Sequence, residues 1–210
     1  MVPSYITHLV KDKKLFAAIN QKQRFELVQR EKVYLYLCKS IMSQQLSTKV
    51  ASVIFKRFLD LYDGKEPEPD QILETPFDAL RAIGLSNAKT RYVQNVARFT
   101  IEQGMDARKF DNMDNEEIIS YLTQIKGVGR WTVEMLLMFT LGREDVFAVD
   151  DLGIQNAMIG IYKIRNNNKN KLKTRMVQIS NKWKPYRTYA CLHLWHWQNN
   201  TINQRSLNRK

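Results

Sequence analysis

The sequence predicts an all-α fold on three observations. Apolar residues recur at helical spacing along most of its 210 residues, helix-start and helix-stop residues punctuate those stripes, and no alternating stretch is long enough for a half-buried strand. The residues before Val33 read as one or two helices. Residues 47–63 place Val50, Val53, Ile54, Phe58 and Leu61 on one stripe, opened by Ser47 and stopped at Asp63-Gly64. Lys65 to Asp70, KEPEPD, reads as a loop. Thr75-Pro76 starts a short helix with proline at its first position and Gly84 just past its end. From Ala88 to about Gln103, Tyr92, Val96 and Phe99 make another apolar face. Asp114 and Glu117 form a capping box for a helix that continues through Ile118, Ile119, Leu122 and Ile125. A second helix follows from Arg130 to about Leu141, with Gly142 past its C-terminus. Lys163 to Lys173 is rich in Asn and Lys and reads as a flexible insertion or exposed loop. After Pro185 the chain is helical again and rich in aromatics.

Composition narrows the function classes. A chain of this length buries a sizeable core, as one domain or two small ones. Lys and Arg number 33 against 21 acidic residues, a net charge of +12, which is the electrostatic footprint of a nucleic-acid binder and is shared by basic proteins that bind none. Two cysteines, Cys38 and Cys191, exclude a four-thiolate iron–sulfur cluster and supply no disulfide framework. No apolar run has the length of a membrane span, and the first residues do not open a signal peptide. The expected setting is intracellular, with reduced thiols: cytoplasm or nucleoid in a prokaryote, nucleus in a eukaryote.

The most informative stretch is Gly127-Val128-Gly129, set between two helical patterns. Its glycines permit backbone angles and close approaches that a side chain forbids, so the amides opening the second helix can face an anion such as a DNA phosphate. A tight turn that packs and binds nothing fits those three residues equally well. The neighbouring sequence decides between them. Ile125-Lys126-Gly127-Val128-Gly129-Arg130-Trp131-Thr132 has the form of a helix-hairpin-helix, and Asp151 follows nineteen residues after Thr132. Together with Ile41–Ser47, Val146–Asp151 and Trp183–Trp195, these segments resemble the helix-hairpin-helix DNA glycosylases, in particular the 3-methyladenine DNA glycosylase II family, over about residues 33–197.

That resemblance implies a single glycosylase unit of two helical subdomains, with the active site in the cleft between them. One is a central bundle over 33–143 holding the helix-hairpin-helix at about 114–141, and the other combines 1–32 with 144–210. Members often carry an N-terminal β-rich domain, which the residues before Val33 cannot encode, so a compact helical variant is expected. The implied partner is double-stranded DNA containing damaged bases, bound by a monomer with no membrane involved. Lys126, Gly127, Gly129, Arg130 and Thr132 would contact its phosphates. The carbonyls of Thr123, Ile125 and Val128 would hold Na+ or K+ bridging to a phosphate, with no cofactor required. The cations of Lys163 to Lys173 solvate that stretch or reach the DNA backbone.

Gln44, Gln45 and Leu46 fall where the family fills the hole left by a flipped nucleotide. Gln45 or Leu46 is the candidate plug, and Leu46 packing into the core is the alternative. Trp131 and Trp195 match positions of the base pocket, where electron-rich rings attract a cationic alkylpurine; ordinary core packing is the competing reading. The family's further pocket aromatics are replaced by Met135 and Leu152. Cys191, His193 and His196 do not share a helix face and show no fourth ligand, which argues against zinc.

An alkylated purine is already a good leaving group, so its excision needs a stabilised oxocarbenium-like sugar and a delivered water, and one carboxylate serves both needs. The family's motif assigns that role to Asp151 and leaves Asp150 as helix cap or support. Members of the superfamily that also cut the backbone carry a lysine after the hairpin arginine, where this chain has Trp131. The expectation is a monofunctional glycosylase for alkylated purines such as 3-methyladenine and 7-methylguanine. A glycosylase for deaminated or oxidised bases, or a non-catalytic helix-hairpin-helix DNA-binding protein, is the alternative.

Overall fold

The structure, a computed structural model, describes residues 2–30, 32–165 and 168–207, with side chains through Thr201. Its α-helices run in chain order α1 Ser4–Leu9, α2 Val33–Ser43, α3 Thr48–Asp60, α4 Pro69–Glu74, α5 Phe77–Ala82, α6 Asn87–Gln103, α7 Asn115–Leu122, α8 Arg130–Phe139, α9 Leu152–Tyr162, α10 Lys169–Ser180 and α11 Arg187–Leu207. Short 3-10 turns sit at Leu15–Ala18, Ala107–Phe110 and Asn181–Trp183. Among the described residues there is no strand, only isolated bridges such as Gln29 with Leu141, so the fold is all-α as expected. No helix among them is long and apolar enough to cross a membrane.

The chain divides into two compact units, Met1–Val28 with Gly142–Lys210, and Gln29–Leu141. In the second unit α2 is the hub, packing on α3, α6 and α8. Leu37, Ile41, Phe58, Leu80, Val93, Val96, Ile118, Leu122 and Leu136 are wholly buried there. Each such side chain withdrawn from water contributes roughly 1.5–3 kcal/mol.

Several expectations change in this unit. The stripe on α3 divides, because Ile54 and Phe58 are buried while Val50, Val53 and Leu61 are 45%, 45% and 39% exposed. α3 leans chiefly on α2, so its outer turns overhang solvent. Residues expected as loop before Asp70 instead open α4, with Glu68 and Gln71 as a capping box around Pro69 at the first helical position. The buried face of α6 is Thr90, Val93, Val96 and Ala97, with Tyr92 and Phe99 only half-buried. α8 stops at Phe139, two residues short of the expected Leu141, which pairs with Gln29.

The first unit is built around α9 and α11, against which the N-terminal 3-10 turn also packs. Tyr5 stacks on Tyr189 with ring centroids 4.0 Å apart. Asp12 accepts from the Tyr162 hydroxyl at 2.7 Å and the Trp183 indole at 3.2 Å. The Asn- and Lys-rich stretch is less of a loop than expected. Asn168 caps α10 by accepting from the amides of Asn170 and Lys171, and Leu172 is buried; Asn166 and Asn167 lie outside the described residues.

His193 is wholly buried on α11, with no hydrogen-bond partner for either ring nitrogen among the described residues. The ring of Phe25 lies 4.9 Å away and that of Tyr5 6.2 Å away. Burial, together with nearby His196 and Arg24, pushes its pKa down to about 4. A histidine depressed in this way is neutral in the fold and protonates first in the unfolded chain, so stability is full above the ordinary value near 6.5 and lost as pH falls toward 4. Lowering the pH from 7 to 4 is expected to cost the wild type about 3 kcal/mol more than His193→Leu, measured by urea unfolding at each pH. Parallel pH curves for the two proteins would assign the acid sensitivity to other groups.

Candidate active site and nucleic-acid interface

In the first unit the site is organised at the start of α9. Asp151 is the N-cap residue: its Oδ1 accepts from the Ile154 amide at 2.9 Å and from the Trp195 indole of α11 at 2.8 Å. Gly153 makes this approach possible, since a Cβ there would lie 3.0 Å from Trp195 Cδ1 and 3.1 Å from Asp151 Oδ1. The carboxylate is thereby held in one orientation by a helix amide and an indole N–H.

The chain entering the site is fastened to α11. The Thr188 hydroxyl donates to the Arg143 carbonyl at 2.6 Å and accepts from the Val146 amide at 3.1 Å, and Arg187 pairs with Asp145 at 2.6 Å. Arg187 and Thr188 are positioning residues that the sequence reading quoted only as part of a motif.

Of the two roles expected for Asp150, cap or support, the cap falls to Asp151; Asp150 forms an ion pair with Lys173 of α10. Only Asp151 stands in register, with extended backbone (φ −72, ψ 123) directly before the first helical residue. Trp195 is half-buried and hydrogen-bonded, so packing is only part of its role. Leu152 is 73% exposed. Cys191 and His193 are buried in the core, and no group of three or more His, Cys, Asp or Glu that could hold a metal occurs among the described residues.

In the second unit α7 and α8 flank the hairpin as the sequence predicts, with Asp114 and Glu117 closing the capping box reciprocally. Gly127 has φ +106 and packs on Tyr92 of α6 so closely that a Cβ would lie 2.3 Å from Tyr92 Cγ. Gly129 differs: it is the N-cap of α8 with φ −99, and beyond its chain neighbours no atom of the described residues lies within 4 Å of where its Cβ would be. Gly129 brings no side chain to cap α8, whose first turn begins beside that open space.

Arg130 is less available than expected. Its guanidinium donates to Glu116 through both terminal nitrogens and to buried Glu134 through Nε at 3.0 Å, tying α8 to α7. Thr132 is buried, leaving its backbone amide as the group able to meet a phosphate. Lys126 is exposed beside a cavity of about 380 Å³ lined by Arg91, Tyr92, Asn95 and Arg98.

α6 fastens the hairpin and the Gln44–Leu46 loop. Asn95 donates to the Lys126 carbonyl at 3.3 Å, while Lys89 donates to the carbonyls of Met42 at 3.0 Å and Gln44 at 2.6 Å. Burial holds the Lys89 pKa below the usual lysine value. Gln44 is half-buried and donates to the Gly127 carbonyl at 3.5 Å. Gln45, at φ +60, and Leu46, 36% exposed, form the tip, so Leu46 is not a core residue. Trp131 is 42% exposed on the first turn of α8, whereas Met135 one turn on is buried.

A glycine hairpin opening a helix, and a helix-capping carboxylate bonded to an indole, are features met together in DNA base repair. Residues 38–184 match the HhH-GPD superfamily base excision DNA repair protein family. The chain is 35% identical over 187 residues to DNA-3-methyladenine glycosylase 1 of Schizosaccharomyces pombe, spanning 87% of this chain and 80% of that one. Its fold is similar to the crystal structure of a DNA-3-methyladenine glycosidase from Bacillus halodurans, with a TM-score of 0.83, 32% identity and 96% and 92% of the two chains covered. It is also similar to a Schizosaccharomyces pombe 3-methyladenine DNA glycosylase in complex with abasic DNA, with a TM-score of 0.78, 34% identity and 92% and 95% covered. The chain belongs to the helix-hairpin-helix DNA glycosylase superfamily, within its 3-methyladenine DNA glycosylase family.

Proposed function

We propose that this protein is a monofunctional DNA glycosylase that excises alkylated purines such as 3-methyladenine and 7-methylguanine from duplex DNA, opening base excision repair inside the cell. The observation that carries the reading is Asp151, fixed at the start of α9 by the Ile154 amide and the Trp195 indole. Held there, its charge stabilises the developing oxocarbenium-like sugar and its oxygen orients the attacking water. The target base leaves the stack before the carboxylate can reach its sugar. Exposed Gln45 and Leu46 take its place in the duplex.

The amides at the start of α8, with Gly127 and Gly129 as the turn that exposes them, take a DNA phosphate, and Lys126 and Arg98 take its neighbours. Arg130 positions the hairpin through Glu116 and Glu134. The carbonyls of Thr123, Ile125 and Val128 are oxygen donors of the kind a hard cation accepts, and Na+ or K+ there would bridge the hairpin to that phosphate. Trp131, in place of a nucleophilic lysine, makes the reaction a hydrolysis that leaves an abasic site.

The test incubates the protein with duplexes containing single alkylated or deaminated purines. Expected are alkali-labile sites at 3-methyladenine and 7-methylguanine and no protein–DNA adduct after borohydride. A trapped adduct would reassign the attack to a lysine, and release of neutral hypoxanthine alone would move the substrate class.

Within that assay the two tryptophans separate. Trp131→Leu keeps bulk but loses the ring quadrupole, so excision of a cationic alkylpurine is expected to fall relative to hypoxanthine by about 0.5–2 kcal/mol, roughly twofold to thirtyfold. Trp195→Leu also releases the Asp151 carboxylate, so it is expected to slow excision of both bases. Equal loss on both bases in Trp131→Leu would remove that ring from selection.

A further inference from the structure

The first unit contains a concave site that the proposed glycosylase chemistry leaves without a role. A cavity of about 670 Å³ is lined by cations from four separate segments. Lys11, Lys13 and Lys14 come from the turn after α1, Lys163 and Arg165 from the end of α9 and the residues after it, Arg175 from α10, and Lys182 from the 3-10 turn before α11. Among the described residues of the lining, Asp12 is the one carboxylate. Its oxygens are already bonded to the Tyr162 hydroxyl, the Trp183 indole and the amides of Lys14 and Leu15. Burial alone would raise its pKa, but those hydrogen bonds hold it below the usual carboxylate value, so Asp12 acts as an ionised scaffold for the wall. None of the seven cations makes a salt bridge among the described residues.

Seven like charges gathered around one cavity repel one another and attract a multivalent anion. Because they converge from four segments rather than following a row, they suit a compact ligand better than a strand lying along a surface. The site is also remote from the chemistry: Asp151 caps the start of α9, and Lys163 follows its last residue. Eleven helical residues separate the two ends, about 16 Å along the axis. We infer that this cavity binds a compact oligophosphate, such as the triphosphate chain of a nucleotide, independently of the damaged base.

The test titrates the full-length protein calorimetrically with sodium tripolyphosphate at about 0.15 M ionic strength. One saturable site is expected. Combined Lys14→Gln, Arg175→Gln and Lys182→Gln should weaken it about tenfold or more, since charge-assisted contacts are lost, while Lys126→Gln on the hairpin leaves it near wild type. The triple variant should keep wild-type excision of 3-methyladenine, which separates failure of this site from failure of the glycosylase reading. A nucleoside triphosphate should displace tripolyphosphate, and a short single strand without terminal phosphates should not. Absence of saturation, equal weakening by Lys126→Gln, or displacement by the strand and not by the triphosphate would each overturn the assignment.

Discussion

Asp151→Asn is expected to abolish base release while duplex binding and folding persist. Asparagine is as good an N-cap as aspartate, and its carbonyl oxygen can still accept from the Ile154 amide and the Trp195 indole. The substitution therefore removes charge and basicity with the local geometry kept. The combined electrostatic and water-activating role predicts a loss of about 10³-fold or more in single-turnover excision. Asp150→Asn is the matched control: its pair with Lys173 is about 40% exposed on both sides, so at most about 1 kcal/mol of stability and little activity should be lost. Turnover near wild type in Asp151→Asn, or equal losses at the two aspartates, would defeat the assignment. Asp151→Ala is a poorer test. It would also uncap α9, at about 1 kcal/mol, and strand the indole N–H.

The parts of this site written in local sequence were legible, and those made by long-range contacts were not. The capping box at Asp114 and Glu117 is complete within four residues, and the glycine turn after it carries its meaning in its own backbone. α4 was obscured because Pro67 and Pro69 read as loop, although Pro69 stands at the first helical position, where an N–H would have no intrahelical partner. Periodicity placed Tyr92 on the apolar face of α6, yet its ring lies under Gly127, a neighbour far away in sequence. The bond from Trp195 to Asp151, the clamp from Lys89 to the Gln44 loop and the Glu116–Arg130–Glu134 tie are of the same kind. Spacing identified Trp195 and Arg130 as important residue types but could not say that one steadies the Asp151 carboxylate and the other steadies the hairpin. The division of labour between Asp150 and Asp151 turned on helix register, where a shift of one residue exchanges a cap for an ion pair.

Gly127→Ala and Gly129→Ala are expected to weaken duplex binding for opposite reasons, and stability measurements distinguish them. At Gly127 the backbone has φ +106, and the new Cβ would sit 2.3 Å from Tyr92 Cγ. Left-handed strain costs roughly 1–2 kcal/mol and overpacking about 1–3 more, so unfolding free energy should fall by about 2–5 kcal/mol as the hairpin is pushed off α6. Binding is then lost because the phosphate seat is displaced. At Gly129, φ is −99 and the Cβ enters open space, so stability should change by only about 1 kcal/mol or less from the poorer cap. In the proposed function that open space is the face through which a phosphate would approach the α8 amides, and a methyl group there would obstruct it. Both variants should lose affinity for damaged and undamaged duplexes alike, because a phosphate contact reads no sequence. Replacing Tyr92 with alanine in the Gly127→Ala background should recover part of the stability by making room for the methyl group, leaving the φ penalty. Fluorescence anisotropy with an undamaged duplex, alongside urea unfolding, measures both quantities. Full duplex affinity in Gly129→Ala would mean that the start of α8 is not where the phosphate sits.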